Sequence, residues 1–242
     1  MTKRQVARLG RPVLAEFLGT ALLVAAVIGS GIAAQRLSPG DVGLQLLENS
    51  VATGAALVAI IFALGPVSGA HLNPVVTMAD WMCGGVRGHT GLLYCAAQLA
   101  GGAFGALVAN AMFGLPALEV AGKPRWAPGL WIGEAVATFG LVLVIFSIIR
   151  ARRASVAPVV VGAYITAAYW FTSSTSFANP AVTLARTISD TFAGIAPSSV
   201  PPFLVAQLLG ALLATGTVVL LHPRVRDVAG EVVVPHEAEA TG

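Results

Sequence analysis

The sequence predicts an all-α membrane protein with six transmembrane helices and two re-entrant half-helices, arranged as an inverted three-helix repeat. Hydrophobic residues make up 56% of the 242 residues and charged residues only 10%, against about 25% charged in a soluble domain. Six apolar stretches are separated by short polar, basic or Gly/Pro-rich segments. One short motif that begins with Asn-Pro occurs twice, once in each half of the chain. Together these features indicate a polytopic helical membrane protein with internal duplication.

The first half of the chain follows a basic tail at residues 1–12 and occupies residues 13–113. A cleavable signal peptide is excluded, because the first apolar run is long, lacks a convincing cleavage site and has a counterpart later in the chain. After this run comes a polar loop, and Gly-Pro ends the second span. The predicted spans are 13–34, 50–64 and 91–113, with a half-helix at 73–83 between the last two.

The second half of the chain occupies residues 129–221 and repeats this order after a Gly/Pro-rich connector. Its second half-helix begins at Asn179 and is expected to end near Thr187. The last residues, 223–242, are acidic and small, which predicts a disordered tail. The predicted spans of this half are 129–149, 157–171 and 203–221, and the channel-forming part of the chain is predicted as 13–222.

The two Asn-Pro motifs each predict the start of a helix. Asn is a favourable N-cap, and Pro at the first helical position gives up no needed donor. The apolar run that follows is too short to cross a bilayer, which takes about 20 residues. Irregular backbone at membrane depth is tolerated only where protein buries it or where it lines a water-filled cavity. The motifs, which therefore predict a cavity within the protein at membrane depth, are Asn73-Pro74-Val75 and Asn179-Pro180-Ala181.

Two further pairs of polar residues repeat between the halves. Glu16-x-x-x-Thr in the first span matches Glu134-x-x-x-Thr in the fourth, and Ala-Gln98-Leu-x-Gly in the third matches Ala-Gln207-Leu-x-Gly in the sixth. Each half contains three spans, an odd number, so the halves must be inverted relative to each other in the membrane. Inverted repeats with broken helices that meet near the midplane are a known transport architecture.

The basic residues predict the orientation of the chain in the cell membrane. Ten of the 14 Lys and Arg residues fall on the face that carries both termini, which predicts cytoplasmic termini. The formal net charge of +3 does not indicate nucleic-acid binding, because these residues lie in loops between spans. The ten are Lys3, Arg4, Arg8, Arg11, Arg87, Arg150, Arg152, Arg153, Arg224 and Arg226, and the opposite face receives Arg36, Lys123, Arg125 and Arg186.

The duplicated Asn-Pro motifs, the paired Glu residues and the paired Ala-Gln-x-x-Gly motifs resemble those of the major intrinsic protein family, the aquaporins and aquaglyceroporins, over about residues 12–222. The resemblance implies an hourglass pore in each subunit of a homotetramer, which carries water or small uncharged solutes down a gradient without a cofactor. It also implies a ladder of backbone carbonyl acceptors along the pore, from Gly69, Ala70 and His71 and from Thr175, Ser176 and Phe177.

Asn73 and Asn179 are expected to cap the half-helices and to offer amide N–H groups to passing oxygen atoms. The positive ends of both helix dipoles then meet at mid-membrane and repel cations, including a relayed proton. Taken alone, each Asn could also serve only as a cap. In the family, Glu16 and Glu134 would accept hydrogen bonds from irregular backbone, with Gln98 and Gln207 bracing the loops. Since intramembrane carboxylates are functional candidates by default, a proton-coupled transporter that uses Glu16 or Glu134 is the alternative.

The predicted selectivity filter departs from the usual family pattern. Counting from the Asn residues, as in the family, gives Thr53, Ala167, Ser176 and Val182, a filter without an aromatic residue, His or Arg. Val182 stands where most members have Arg, and the first motif reads Asn-Pro-Val. This pattern is similar to atypical bacterial members that pass arsenite, which is an uncharged polyol near neutral pH.

Arg186 follows Val182 by one helical turn and could restore a positive charge at the outer mouth. An equally open interpretation is a packing role, or an ion pair with a loop acid such as Asp190. An intramembrane enzyme is not expected, because no set of acid–base or metal-ligating residues converges, and no metal or cofactor is predicted. The two cysteines, Cys83 and Cys95, are expected to be free thiols.

Overall fold

The computed structural model describes residues 3–221, and these form eight α-helices and three short 3-10 helices. Six of the helical segments are long and apolar enough to cross a membrane. The first half consists of α1 (Lys3–Leu37), α2 (Val42–Ser68), α3 (Pro74–Cys83) and α4 (Gly88–Met112). The second half consists of α5 (Pro128–Arg150), α6 (Ala157–Phe171), α7 (Pro180–Ala185) and α8 (Val200–Leu221), with 3-10 turns at Ala154–Val156, Arg186–Ile188 and Pro197–Ser199.

Five of the six spanning helices are longer than the apolar stretches that predicted them, and α6 matches its stretch. The predicted polar loop 35–49 is mostly helical, because Asp41 caps α2: its Oδ1 accepts a hydrogen bond from Leu44 N at 2.9 Å. Polar residues of this first part of α2 turn inward, and Asn49 Nδ2 donates to Val27 O at 2.9 Å. α1 begins at Lys3, inside the predicted tail 1–12. The predicted tail 223–242, with Arg224 and Arg226, lies outside the described residues.

The two halves pack in the same way. In the first, α1 lies against α4 and α2, and in the second, α5 lies against α8 and α6, while α2 and α6 join the halves. Glycine permits the closest of these approaches. A Cβ on Gly101 of α4 would collide with Phe17 O of α1, and a Cβ on Gly210 of α8 would collide with Ala135 O of α5. These equivalent glycines therefore set the helix spacing in both halves.

The half-helices α3 and α7 are the predicted short helices and approach each other at their N-termini. Both are capped as the sequence predicts: Asn73 Oδ1 accepts from Val75 N at 3.0 Å, and Asn179 Oδ1 accepts from Ala181 N at 2.9 Å. The chain before each Asn is irregular and buried between the spanning helices. This arrangement places two helix starts and two stretches of non-helical backbone at the centre of the protein.

Candidate functional site

The two capping Asn residues tie the two halves together at the centre. Asn73 Nδ2 donates to Ala178 O at 2.8 Å, and Asn179 Nδ2 donates to Leu72 O at 2.7 Å. Each amide therefore caps its own helix with its oxygen and binds the irregular segment of the other half with one N–H. Its second N–H remains for a ligand in the cavity. Both Asn side chains line the central cavity. Sequence reasoning anticipated the caps but not these reciprocal bonds, which no spacing within one half could show.

The irregular segments before each Asn hold their backbone in a left-handed conformation that most residues avoid. Ala70 has φ 47° and Leu72 φ 51° in the first segment, and Ser176 has φ 50° and Ala178 φ 46° in the second. With Thr175 at φ 63°, five such non-glycine residues in two equivalent segments need external support, because each costs roughly 1–3 kcal/mol. The residues whose carbonyls are predicted to act as acceptors along the pore, Gly69, Ala70, His71, Thr175, Ser176 and Phe177, all lie in these segments.

The first segment is supported by Glu16, whose side chain is fully buried. One carboxylate oxygen accepts from Ser68 Oγ at 2.7 Å and His71 N at 2.9 Å, and the other accepts from Leu72 N at 2.7 Å. Gln98 Nε2 also donates to Glu16, at 2.7 Å. Four donors thus converge on one carboxylate, which is the bonding that a buried charge requires.

The second segment is supported in the same way by Glu134, which is also fully buried. It accepts from Phe177 N at 2.8 Å, Ala178 N at 2.9 Å and Gln207 Nε2 at 2.6 Å. Gln207 in turn donates to Thr183 Oγ1 of α7 at 2.8 Å, so it joins the segment to the half-helix. Glu134 and Gln207 repeat the geometry of Glu16 and Gln98, and both pairs lie behind the pore wall.

A cavity of about 60 Å³ lies where the halves meet. A cavity needs about 10–15 Å³ to hold one water, so this one has room for several. Its wall combines aliphatic side chains of four spanning helices with the backbone and side chains of the irregular segments. The lining residues used below are Thr53, His71, Tyr169, Ser176, Val182 and Arg186.

The predicted filter residues Thr53, Ser176 and Val182 are buried in this wall, but Ala167 is not. Ala167 lies exposed on the outer side of α6, and Tyr169, two residues later, faces the cavity instead. Tyr169 Oη lies 3.3 Å from Thr53 Oγ1. The prediction at Ala167 is therefore corrected to Tyr169, because α6 continues to Phe171 in a register that turns Ala167 outward. The cavity wall consequently contains an aromatic residue, which the predicted filter lacked.

Arg186 lies buried at one end of the cavity, against the Phe177 ring at 3.4 Å from its centroid. Its Nε donates to Ala193 O. Asp190, the proposed ion-pair partner, instead accepts from Gly122 N at 2.9 Å. The cavity wall thus contains a guanidinium one turn beyond Val182, which is the position that the helical spacing predicted.

The sequence singled out His71 only for its carbonyl, whereas its side chain also lines the cavity. Its Nδ1 lies 3.1 Å from Thr77 Oγ1, and its Nε2 lies 3.5 Å from the buried Asp80 Oδ2. The nine-residue separation of His71 and Asp80 crosses the cap of α3, so no helical periodicity signals this contact. No cluster of three or more metal-ligating side chains occurs among residues 3–221.

Comparisons with known proteins agree on the family of this chain. The family model "Major intrinsic protein" matches residues 3–178 and 168–241. Aquaglyceroporin AqpS of Rhizobium meliloti is 51% identical over 206 residues, which cover 85% of this chain and 88% of the relative. Aquaporin AqpM of Methanothermobacter marburgensis is 33% identical over 84% of this chain and 94% of its own.

A solved structure has the same fold. The aquaglyceroporin from Plasmodium falciparum superimposes with a TM-score of 0.67 at 21% sequence identity, over 90% of this chain and 98% of that one. The duplicated half-helices, the matched Glu–Gln supports and the sequence matches lead to one assignment: this chain belongs to the major intrinsic protein family.

Proposed function

We propose that the chain is a passive channel for water and for small uncharged solutes larger than water, such as glycerol, urea and arsenous acid. The family supports passive conduction of small solutes. The relative from Rhizobium meliloti is named an aquaglyceroporin, which supports passage of solutes beyond water. Proton-coupled transport has no such support, because Glu16 and Glu134 are occupied by donors from the pore-forming backbone.

The observation that carries this proposal is the composition of the proposed filter, which is polar on one side and apolar on the other. Thr53, Tyr169 and Ser176 place hydroxyl groups on the cavity wall, while Val182 adds an apolar side chain where most relatives have Arg. A polyol presents carbon–hydrogen bonds on one side and hydroxyls on another, so it fits such a wall. Water can hydrogen-bond to the same hydroxyl groups but makes no favourable apolar contact with Val182.

We further propose a homotetramer in the cell membrane with both termini in the cytoplasm, as the loop charges predict. In this orientation the segment before α3 enters from the cytoplasmic side, α3 runs from the centre of the membrane back toward the cytoplasm, and Arg186 lies toward the outside. The proposed roles of the site residues follow the geometry. Asn73 and Asn179 bind the permeating solute, the filter selects it, and Glu16, Glu134, Gln98 and Gln207 maintain the backbone.

The proposed selectivity is tested by stopped-flow light scattering on proteoliposomes. We expect glycerol and urea permeabilities well above those of empty liposomes, unchanged by an imposed pH gradient. A channel that passes water and excludes glycerol, urea and arsenous acid would contradict the proposed filter. Saturable uptake that follows the pH gradient would favour the transporter.

The Asn179→Asp variant should lose part of its solute permeability and become leaky to protons. Aspartate keeps the capping oxygen but removes the N–H that binds Leu72 O, and it adds a negative charge at the meeting point of the half-helices. A pH-sensitive dye inside proteoliposomes measures the leak, and size-exclusion chromatography verifies folding. Wild-type permeability with unchanged proton tightness would remove Asn179 from the mechanism. Asn73→Asp, at the equivalent position, should behave alike.

A further inference from the structure

Three basic residues gather beside one end of the cavity, and we call this group the basic mouth: Lys123, Arg125 and Arg186. The guanidinium carbons of Arg125 and Arg186 lie 4.9 Å and 3.4 Å from the centroid of the same Phe177 ring. Lys123 Nζ lies 5.0 Å from the Phe192 ring. Two of the three residues come from the connector before α5 and the third from the turn after α7, so the fold brings them together.

In the described part of the chain, no acid forms an ion pair with the basic mouth, although the buried Glu134 acts electrostatically on both of its Arg residues. Within residues 3–221, no carboxylate oxygen is found within 4 Å of these three side chains. Asp190, the nearest acid in the same loops, accepts a hydrogen bond from Gly122 N. Arg125 and Arg186 are only 9% and 2% exposed, and burying charge without a counter-ion is costly. Partial burial, together with repulsion by Arg125 and Arg186, lowers the pKa of Lys123 to about 8.

The hydrogen bonds of the basic mouth leave capacity for a ligand. Arg125 Nε donates to Gly194 O at 3.0 Å, and Arg186 Nε donates to Ala193 O. These bonds fix each guanidinium in place through Nε. Ser176 provides an independent indication of a ligand. It lies in the wall of the cavity that Arg186 also lines, it is only 3% exposed, and its hydroxyl has no hydrogen-bond partner among the described residues.

We propose that the basic mouth binds a small monovalent oxyanion, with carboxylate as the simplest example. A guanidinium presents a planar fork of donors that matches a carboxylate better than it matches a spherical ion. The bound oxyanion supplies the missing negative charge beside Arg125 and Arg186, and Ser176 is positioned to donate to it. Because Arg186 lines the conducting cavity, an anion held there occupies the entrance and reduces the permeability to neutral solutes.

Binding is tested on the whole protein in detergent by thermal unfolding in sodium formate and in sodium chloride at equal sodium concentration. A ligand that binds only the folded state raises the unfolding temperature with its concentration. We expect formate to raise it more than chloride does. In Lys123→Gln the apparent formate affinity should be about tenfold weaker, as expected for loss of one charge-assisted contact. Lys123 is exposed, so this variant should fold.

Arg36→Gln is the matched control for this measurement. Arg36 is exposed, donates to Phe113 O at 2.7 Å and lies over the Phe113 ring at 5.3 Å, so it has the same kinds of contact outside the cavity. This variant should keep the full formate effect. Equal stabilisation by formate and chloride, or equal losses in Arg36→Gln and Lys123→Gln, would overturn the proposal.

The pH dependence provides a second test. Below about pH 8 Lys123 carries its charge, and above it the charge is lost. Formate stays an anion, and burial lowers the pKa of Arg125 only to about 10 and that of Arg186 only to about 9, so the pH series is kept below 9, where both guanidinium groups are charged. Formate affinity should therefore fall as the pH rises through about 8 in wild type, and should stay level in Lys123→Gln. The same pH dependence in both proteins would contradict a contribution from Lys123.

The effect on conduction rests on the proposed channel function and is measured separately. Glycerol permeability of proteoliposomes equilibrated with formate on both sides should fall saturably, and less in Lys123→Gln. If formate binds but glycerol never permeates, the proposed function fails and the binding site stands. If glycerol permeates and formate stabilises no more than chloride does, the site fails and the channel stands.

Discussion

The Val182→Arg variant should lose glycerol and urea permeability by roughly tenfold while losing much less water permeability. Val182 is buried in the wall of a cavity of about 60 Å³. An arginine there would place a long polar side chain across the space that a polyol needs, and would remove the apolar side of the filter. A tenfold reduction corresponds to about 1.4 kcal/mol of added barrier. Water is smaller and can hydrogen-bond to the new guanidinium.

Stopped-flow measurements on the same proteoliposome preparation yield the ratio of glycerol to water permeability. Val182→Met is the control, because it adds length without charge or additional donors. We expect Val182→Met to lower the ratio less than Val182→Arg does. An unchanged ratio in Val182→Arg would show that this wall does not select the solute. Val182→Arg also adds a positive charge near Arg186, so formate binding should not weaken in this variant as it does in Lys123→Gln.

The Glu16→Gln and Glu134→Gln variants should be poorly folded, with Glu16→Gln affected more. A glutamine amide replaces one acceptor oxygen with a donor, which would then face the N–H groups that now bind the carboxylate. Glu16 accepts from three N–H groups and the Ser68 hydroxyl, and Glu134 accepts from three N–H groups. Each buried donor left unsatisfied costs about 1–3 kcal/mol. The left-handed backbone before α3 and α7 would lose its main support.

The yield of monodisperse protein and its thermal unfolding in detergent measure this loss. Glu48→Gln is the control, because Glu48 accepts a hydrogen bond from Ser38 Oγ at 2.7 Å near the α1–α2 turn and does not contact the pore. It should retain near-wild-type stability. A Glu16→Gln or Glu134→Gln protein that folds well and conducts normally, but without its pH dependence, would revive the transporter interpretation.

Elements that depend on local patterns could be predicted from the sequence. The helix order, the starts of α3 and α7 and the Glu–Gln pairs all follow from apolar runs, Asn-Pro caps and internal repetition. The start of α2 was missed because polar residues such as Asn49 bind inward to α1 rather than to water. Sequence composition alone does not distinguish a polar loop from a helix whose polar side is buried.

The site was less predictable, because it depends on contacts between the halves. The error at Ala167 arose from counting residues back from Asn179 across an irregular segment, whose length does not determine the rotation of α6. Tyr169 was therefore missed. The bonds from Asn73 to Ala178 O and from Asn179 to Leu72 O join residues more than 100 positions apart, and only the folded chain reveals them.

The composition of the pore wall also affects how the selectivity of such a channel can change during evolution. Along the two irregular segments, the proposed acceptors for a permeating solute are peptide carbonyls, whereas Val182, Thr53 and Tyr169 line the cavity with side chains. A substitution at Ala70 or Ala178 replaces a methyl group but keeps the carbonyl. Substitutions of side chains in the wall can therefore change which solutes enter, while the backbone carbonyls that would keep the pore hydrated stay the same. Selectivity can therefore change by successive substitutions without any intermediate protein losing its hydrated pore.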